Sequence, residues 1–263
     1  MQVGISTACF YPQPIEEILP VLAALGTHAI ELFVNTESEF QPRFYEQIGA
    51  QAKSLGLEIV SVHPYASPME GMMLFSDYKR RTEDGMLQYQ RYFECAAALG
   101  ARCLIFHGER DMGQSDSPAQ WERKCESYRR LCRLAAACGV TLAQENVAWC
   151  RSHDPGFLAA LRRDVPELCY TLDIKQAHRA GKDWRSFFDV MGERIVNVHI
   201  NDFSSGQSCL MPGKGDMDYA SLFSALRGVG YDGHALIEVY RSNFGDPEEL
   251  ARTLRMLSRM TPA

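Results

Sequence analysis

Eight short runs rich in apolar and β-branched residues alternate along this chain with longer segments of helical period. The runs lie at 3–7, 29–33, 58–63, 103–107, 141–146, 170–173, 195–200 and 235–239. Between them, 14–25, 44–55, 80–99, 119–138, 155–163, 184–191 and 219–229 carry apolar residues at three-to-four spacing. Several of these segments stop at a glycine, as in Leu25-Gly26, Leu55-Gly56, Leu99-Gly100, Cys138-Gly139 and Val229-Gly230. Glycine is the natural left-handed cap there. Eight strand runs separated by helical segments over 263 residues are the pattern of a (β/α)8 TIM barrel at its usual size. An open doubly wound sheet shares the alternation, but no GxGxxG follows a strand and no linker divides the chain. The expectation is an α/β fold, one barrel domain spanning 1–263.

Charge and composition narrow the function classes. The chain carries 27 basic and 33 acidic residues, a net charge of -6, with no basic stripe. Its field does not favour a nucleic-acid backbone, and no nucleic-acid partner is expected. No apolar stretch approaches the ~18 residues that span a bilayer, so no membrane partner is expected either. The opening Met1-Gln2-Val3-Gly4 enters a strand-like run without a signal-type segment. The nine cysteines are an odd number with no CxxC pair. Cys95, Cys103, Cys125, Cys132, Cys138 and Cys169 lie in apolar or helical patterns and read as reduced core thiols. A cytoplasmic protein is the expectation.

In such a barrel the C-terminal ends of the strands converge on one mouth, where active sites form. Here those ends are polar. The third run ends "SVHPY" with His63, the fourth "LIFHGE" with His107, and the fifth "LAQEN" with Glu145. The sixth ends "YTLDIKQ" with Asp173, the seventh carries His199, and the eighth ends "ALIEVYR" with Glu238. Singly, each has an ordinary reading: an acid as a helix cap, a histidine as a satisfied core group. Six in equivalent places outweigh that reading. Glu145, Asp173, His199 and Glu238 come from four successive strands and would meet across half the mouth. Three carboxylates that close repel one another unless a cation sits between them. Three oxygen donors and one imidazole suit a single divalent ion, Mn²⁺, Zn²⁺ or Mg²⁺, with positions left for substrate or water. His199 would bind it through one ring nitrogen while the other donates to an acceptor, with Asn201 or Asp202 placed to help order that shell.

Across nearly its whole length the sequence resembles the xylose-isomerase-like barrels. That superfamily includes ketose 3-epimerases, inosose and hydroxypyruvate isomerases, 3-dehydroshikimate dehydratases and the apurinic endonuclease group. The resemblance is carried by "QENVAW" around Glu145, "LDIKQAHRAG" around Asp173, "NVHINDF" around His199 and "PGKGDMDY…GYDGHALIEVY" leading to Glu238. It implies that these four residues bind one divalent ion, and that Glu145 and Glu238 also act as the acid–base pair. His63, His107 and Glu145 match the first-metal ligands of the endonucleases, which leaves a second ion open; otherwise the two histidines line a sugar pocket as donors. The third-metal ligands are missing. Gln176 stands where the endonucleases carry histidine, and "GDMDY" contains none. Several epimerases also hold substrate with a histidine at the Gln176 position, so the familiar ketohexoses do not transfer to this chain.

The resulting expectation is a metal-dependent isomerase or epimerase acting on a sugar, sugar phosphate or related polyol. Hydrogen moves next to a carbonyl: the ion polarises the oxygen, and Glu145 and Glu238 remove and return the proton. The alternative is a metal-dependent lyase on a cyclic hydroxy-ketone, resembling the 3-dehydroshikimate dehydratases. A phosphodiesterase ranks lower, as does a barrel that binds sugar without turnover. Substrate contacts are expected from His63, His107 and Gln176, from Lys175 if it points inward, and from Trp149 stacking on a sugar face. Lys214, between two glycines, suits a loop closing over the substrate. Phe10, Tyr240 and Arg241 could border the pocket. His28, His153, His178 and His234 have no matching place. A homo-oligomer is compatible with this reading.

Overall fold

A computed structural model describes residues 1–65 and 67–261. In chain order its strands are β1 (Gln2–Ser6), β2 (Ala29–Val34), β3 (Glu58–Pro64), β4 (Cys103–Phe106), β5 (Thr141–Glu145), β6 (Cys169–Asp173), β7 (Ile195–Ile200), β8 (Asp202–Ser204), β9 (Gln207–Leu210) and β10 (His234–Ile237). The helices are α1 (Ile15–Ala24), α2 (Pro42–Ser54), α3 (Ser67–Leu74), α4 (Lys79–Ala98), α5 (Pro118–Ala137), α6 (Pro155–Asp164), α7 (Ile174–Arg179), α8 (Trp184–Met191), α9 (Tyr219–Gly228) and α10 (Glu248–Ser258). Strands β1 to β7 and β10 form one closed parallel barrel, β10 pairing with both β7 and β1. It is a single-domain TIM barrel, as the alternation required.

Strand alternation divides the core. Ile30, Leu32 and Val34 of β2 face outward and join the apolar shell under the helices. Inside, Ala29, Val60 and Leu236 form one small cluster and Cys103, Ile105 and Ala143 another. Closing β1 between β2 and β10 leaves no room for a side chain at Gly4. A Cβ there would meet the Ala29 carbonyl oxygen at 2.3 Å and Leu236 Cδ2 at 2.8 Å. Helix α1 contains Pro20, whose missing N–H frees the Glu16 carbonyl; Gln51 Nε2 of α2 donates to that oxygen at 2.8 Å. The five glycines read as helix stops all have positive φ, from 71° to 79°.

Four features lie outside the sequence expectation. Helix α7 begins immediately after β6, and α3 and α10 were not read as helices. The segment after β7 folds into the antiparallel hairpin β8–β9 instead of a plain loop. Asp202 is the reason that hairpin holds its shape. Its carboxylate accepts from Phe203 N at 2.9 Å, Gly213 N at 2.8 Å and Met217 N at 2.9 Å, pinning the loop back onto the barrel. All nine cysteines are free thiols, and burial pushes Cys95, Cys103 and Cys132 up to about 12. Among the described residues no helix is long and apolar enough to cross a membrane.

Candidate active site

Parallel register brings the strand-end residues to one level. Asp173 on β6 sits beside His199 on β7, and His199 beside Leu236, two residues before Glu238. The imidazole occupies the centre of the set. His199 Nδ1 lies 3.7 Å from Glu145 Oε1, 3.5 Å from Asp173 Oδ2 and 3.5 Å from Glu238 Oε2. All four side chains are nearly or fully sealed from solvent; Glu238, at 12 %, is the most open. Two of their atoms, Asp173 Oδ2 and His199 Nδ1, are buried without a hydrogen-bond partner among the described residues, while Glu145 Oε2 meets the His107 ring nitrogen at 2.8 Å. Buried polar atoms almost always find one. Here the unused lone pairs converge, and Glu145, Asp173 and His199 form a donor group that could hold a metal ion, with Glu238 alongside.

The other face of His199 was only half read from sequence. Its Nε2 donates to Glu31 Oε2 on β2 at 2.9 Å. Neither Asn201 nor Asp202 serves as that acceptor: Asn201 Nδ2 donates to the Asp202 and Ser208 carbonyls, and Asp202 is committed to the loop. Glu31, which sequence reasoning missed, is fully buried. It also accepts from Ser6 Oγ at 3.1 Å and Ser61 Oγ at 2.8 Å. Its signal was available: an acid between Ile30 and Leu32 in an otherwise apolar strand, on the inward-facing alternation.

His63 and His107 adjoin the same centre. His63 Nδ1 donates to the Pro64 carbonyl at 3.2 Å, so its Nε2 presents a lone pair. That nitrogen lies 3.1 Å from His107 Nε2, which itself lies 2.8 Å from Glu145 Oε2. His63, His107 and Glu145 thus form a second group of converging donor atoms. Behind them Glu70 of α3, also missed, accepts from His107 N at 3.0 Å and Gly108 N at 2.6 Å, and from the Tyr89 hydroxyl. Trp149 stands edge-on to His107 with ring centroids 5.7 Å apart and is 38 % exposed, at the rim.

Lys175 does point inward. Its ammonium lies 2.6 Å from Glu238 Oε2 and 3.8 Å from Asp173 Oδ2, and 5.5 Å from the Tyr240 ring centre. Gln176 is buried nearby, its side-chain oxygen accepting from Ala148 N at 3.2 Å. Lys214 is not brought to this centre; it pairs with Glu249 on α10 at 2.6 Å, in the loop that Asp202 pins through Gly213 N and Met217 N. Phe10 is buried against Phe244. Arg241 donates to the Phe244 carbonyl. His28 is exposed, His153 donates to the Cys150 carbonyl, His178 stacks on Phe203 and His234 opens β10, so none joins the set.

The electrostatics follow from burying this many carboxylates together. Burial pushes Asp173 up to about 6, Glu145 and Glu238 push the same way, and Lys175 pulls down. Burial also raises Glu238, but Lys175 and His199 outweigh it and hold that carboxyl at about 2. For Glu145, burial is outweighed by His107, with His199 and His63 helping, and the group sits well below the usual carboxylate range. Burial would lower His199, yet Glu31 and Glu238 drive it well above an ordinary imidazole. Of the carboxylates Glu31, Glu145, Asp173 and Glu238, the Lys175 ammonium meets only Glu238, at 2.6 Å, and Asp173, at 3.8 Å. One divalent ion would nearly balance them.

Converging strand-end carboxylates and histidines in a closed parallel barrel define the class: a TIM barrel with a mouth suited to a divalent ion. The chain belongs to the xylose isomerase-like TIM barrel family, whose model matches residues 19–260. It is 25 % identical over 266 residues to the fructoselysine 3-epimerase of Shigella flexneri, covering 96 % of this chain and 95 % of that one. Among solved structures, D-psicose 3-epimerase in the presence of D-fructose superposes with a TM-score of 0.80 at 18 % identity, over 99 % of this chain and 98 % of that one. The probable 3-DHS dehydratase from Bacillus anthracis superposes with a TM-score of 0.77 at 17 % identity, over 98 % of each. At those identities the structural likeness speaks for the fold.

Proposed function

We propose that this protein is a divalent-metal-dependent epimerase or isomerase of a sugar or related polyol. The observation that carries the reading is the convergence of Glu145, Asp173 and Glu238 on His199 Nδ1, with Asp173 Oδ2 and His199 Nδ1 buried and unpartnered among the described residues. Likeness over nearly the full chain to a sugar 3-epimerase supports the reaction class. Glu145, Asp173, His199 and Glu238 would hold the ion, which supplies Lewis acidity toward a carbonyl oxygen.

The two glutamates differ in their neighbours, and that difference assigns their roles. Glu238 is ion-paired with Lys175 at 2.6 Å, which keeps it ionised and ready to take a proton from the carbon beside the carbonyl. Glu145 has His107 Nε2 at 2.8 Å, which can pass it the proton that it returns to the substrate. Glu238 then releases its proton to solvent and His107 takes one up from solvent, which closes the cycle. Return to the opposite face of the same carbon is epimerisation; return to the neighbouring carbon is isomerisation. His63 and Trp149 border the sugar on the β3–β5 side. Gln176 and the 215–219 segment supply no histidine for a third metal, which disfavours phosphodiester cleavage.

The experiment is incubation of Mn²⁺-loaded protein with ketoses, inososes and keto-acids in D₂O. Deuterium should enter a carbon next to the carbonyl, without loss of water from the substrate. The Glu238→Gln and Glu145→Gln variants should each lose turnover. Water elimination would instead make the protein a lyase, and no exchange with any of the panel would contradict the reading.

A further inference from the structure

Glu31 is fully buried and meets His199 at Nε2, the ring nitrogen away from the one that faces Glu145, Asp173 and Glu238. Its neighbours come from three other strands: Ser6 of β1, Ser61 of β3, and Asn197 and His199 of β7. Asn197 Nδ2 lies 3.4 Å from Glu31 Oε2 and 3.1 Å from His199 Nε2, so its amide touches both members of the pair, whose own contact at 2.9 Å is the shortest of the three. Leaving an ionised carboxylate in a sealed interior is costly, and a well-packed apolar side chain would stabilise the barrel as well or better. Stability alone does not account for it.

The geometry explains its place. A carboxylate can only accept, so the His199 nitrogen facing it must carry the proton. The neutral imidazole is thereby fixed as the Nε2–H tautomer, with the Nδ1 lone pair directed at Glu145, Asp173 and Glu238. Nδ1 is the ring atom that lacks any protein partner among the described residues. The two serine hydroxyls and the Asn197 amide hold the carboxylate so that its oxygen cannot swing away from the ring.

We infer that Glu31 is the positioning residue of the metal centre, fixing the tautomer, orientation and donor strength of His199 from the layer of side chains beneath the mouth. This rests on the metal-site reading above for its consequence, but not for the tautomer itself. In other metalloproteins, removing such an outer carboxylate costs about 10- to 100-fold in metal affinity or activity.

Two measurements separate the claims. The first needs no metal: ¹⁵N NMR of the neutral His199 ring in metal-free protein at alkaline pH should show Nε2 protonated and Nδ1 bare. An Nδ1–H tautomer in the wild type overturns the proposal, whatever the protein does with metal. The second is Mn²⁺ calorimetry on Glu31→Gln and Glu31→Asp. Glutamine can turn an amide donor toward His199 and so favour the wrong tautomer, and should weaken Mn²⁺ about tenfold or more. Aspartate keeps the charge and should recover part of the loss, with the circular dichroism of both variants matching wild type. Equal affinities in wild type and Glu31→Gln contradict a positioning role. Failure of the wild type to bind Mn²⁺, with the tautomer as expected, overturns the metal-site reading instead.

Discussion

Lys175 Nζ lies 2.6 Å from Glu238 Oε2, so a buried ammonium already neutralises one of the carboxylates that face the imidazole of His199. Lysine and the proposed divalent ion would therefore compete for the same oxygen, and the two effects of removing the lysine have opposite signs. Metal-free Lys175→Met should be less stable than wild type by about 3 kcal/mol, the scale for breaking one side of a buried ion pair. It should also bind Mn²⁺ more tightly, because a nearby positive charge is gone. Denaturant unfolding with and without Mn²⁺ reads both. Weaker Mn²⁺ binding in the variant would show that Lys175 supports the ion rather than opposing it.

Glu70 gives a pH signature away from the carboxylate cluster. Burial pushes its carboxyl up to about 7 from an ordinary 4.5, while His107, Tyr89 and Gly108 pull it down. Because the folded pKa is the higher one, the unfolded chain loses this proton first as pH rises. Stability from this group is full below about 4.5, falls as pH rises, and levels off above about 7. The shift corresponds to roughly 3 kcal/mol. Glutamine at this position can still accept from His107 N and Gly108 N, so the difference in unfolding free energy between wild type and Glu70→Gln should fall across that window. A difference independent of pH from 4.5 to 7 would contradict the assignment.

Much of this was legible before the structure. Eight strands could be placed because their β-branched runs are short and bounded by glycine caps, and strand ends could be read because polar residues stand where barrel strands stop. Pairing across distance was not legible. Lys214 looks free in sequence, yet its partner Glu249 lies 35 residues away on α10. Asp202 looks like a loop residue beside His199, but its carboxylate is turned to the 213–217 backbone. Glu31 sits one layer below the mouth inside an apolar strand, where attention to strand ends does not reach. Glu70 sits in α3, a short helix with little helical period, so nothing marked it as enclosed.

The central claim is that His199 and three carboxylates hold one divalent ion. Calorimetric titration of metal-free protein with Mn²⁺, comparing wild type with His199→Ala and Asp173→Ala, tests it most directly. The account predicts one Mn²⁺ per wild-type chain, with affinity sharply reduced in both variants while their circular dichroism is retained. Were His199 only a strand cap meeting its neighbours by hydrogen bonds, its removal would cost about 1 kcal/mol of stability and leave the titration unchanged. Equal Mn²⁺ affinities in wild type and His199→Ala would contradict the account.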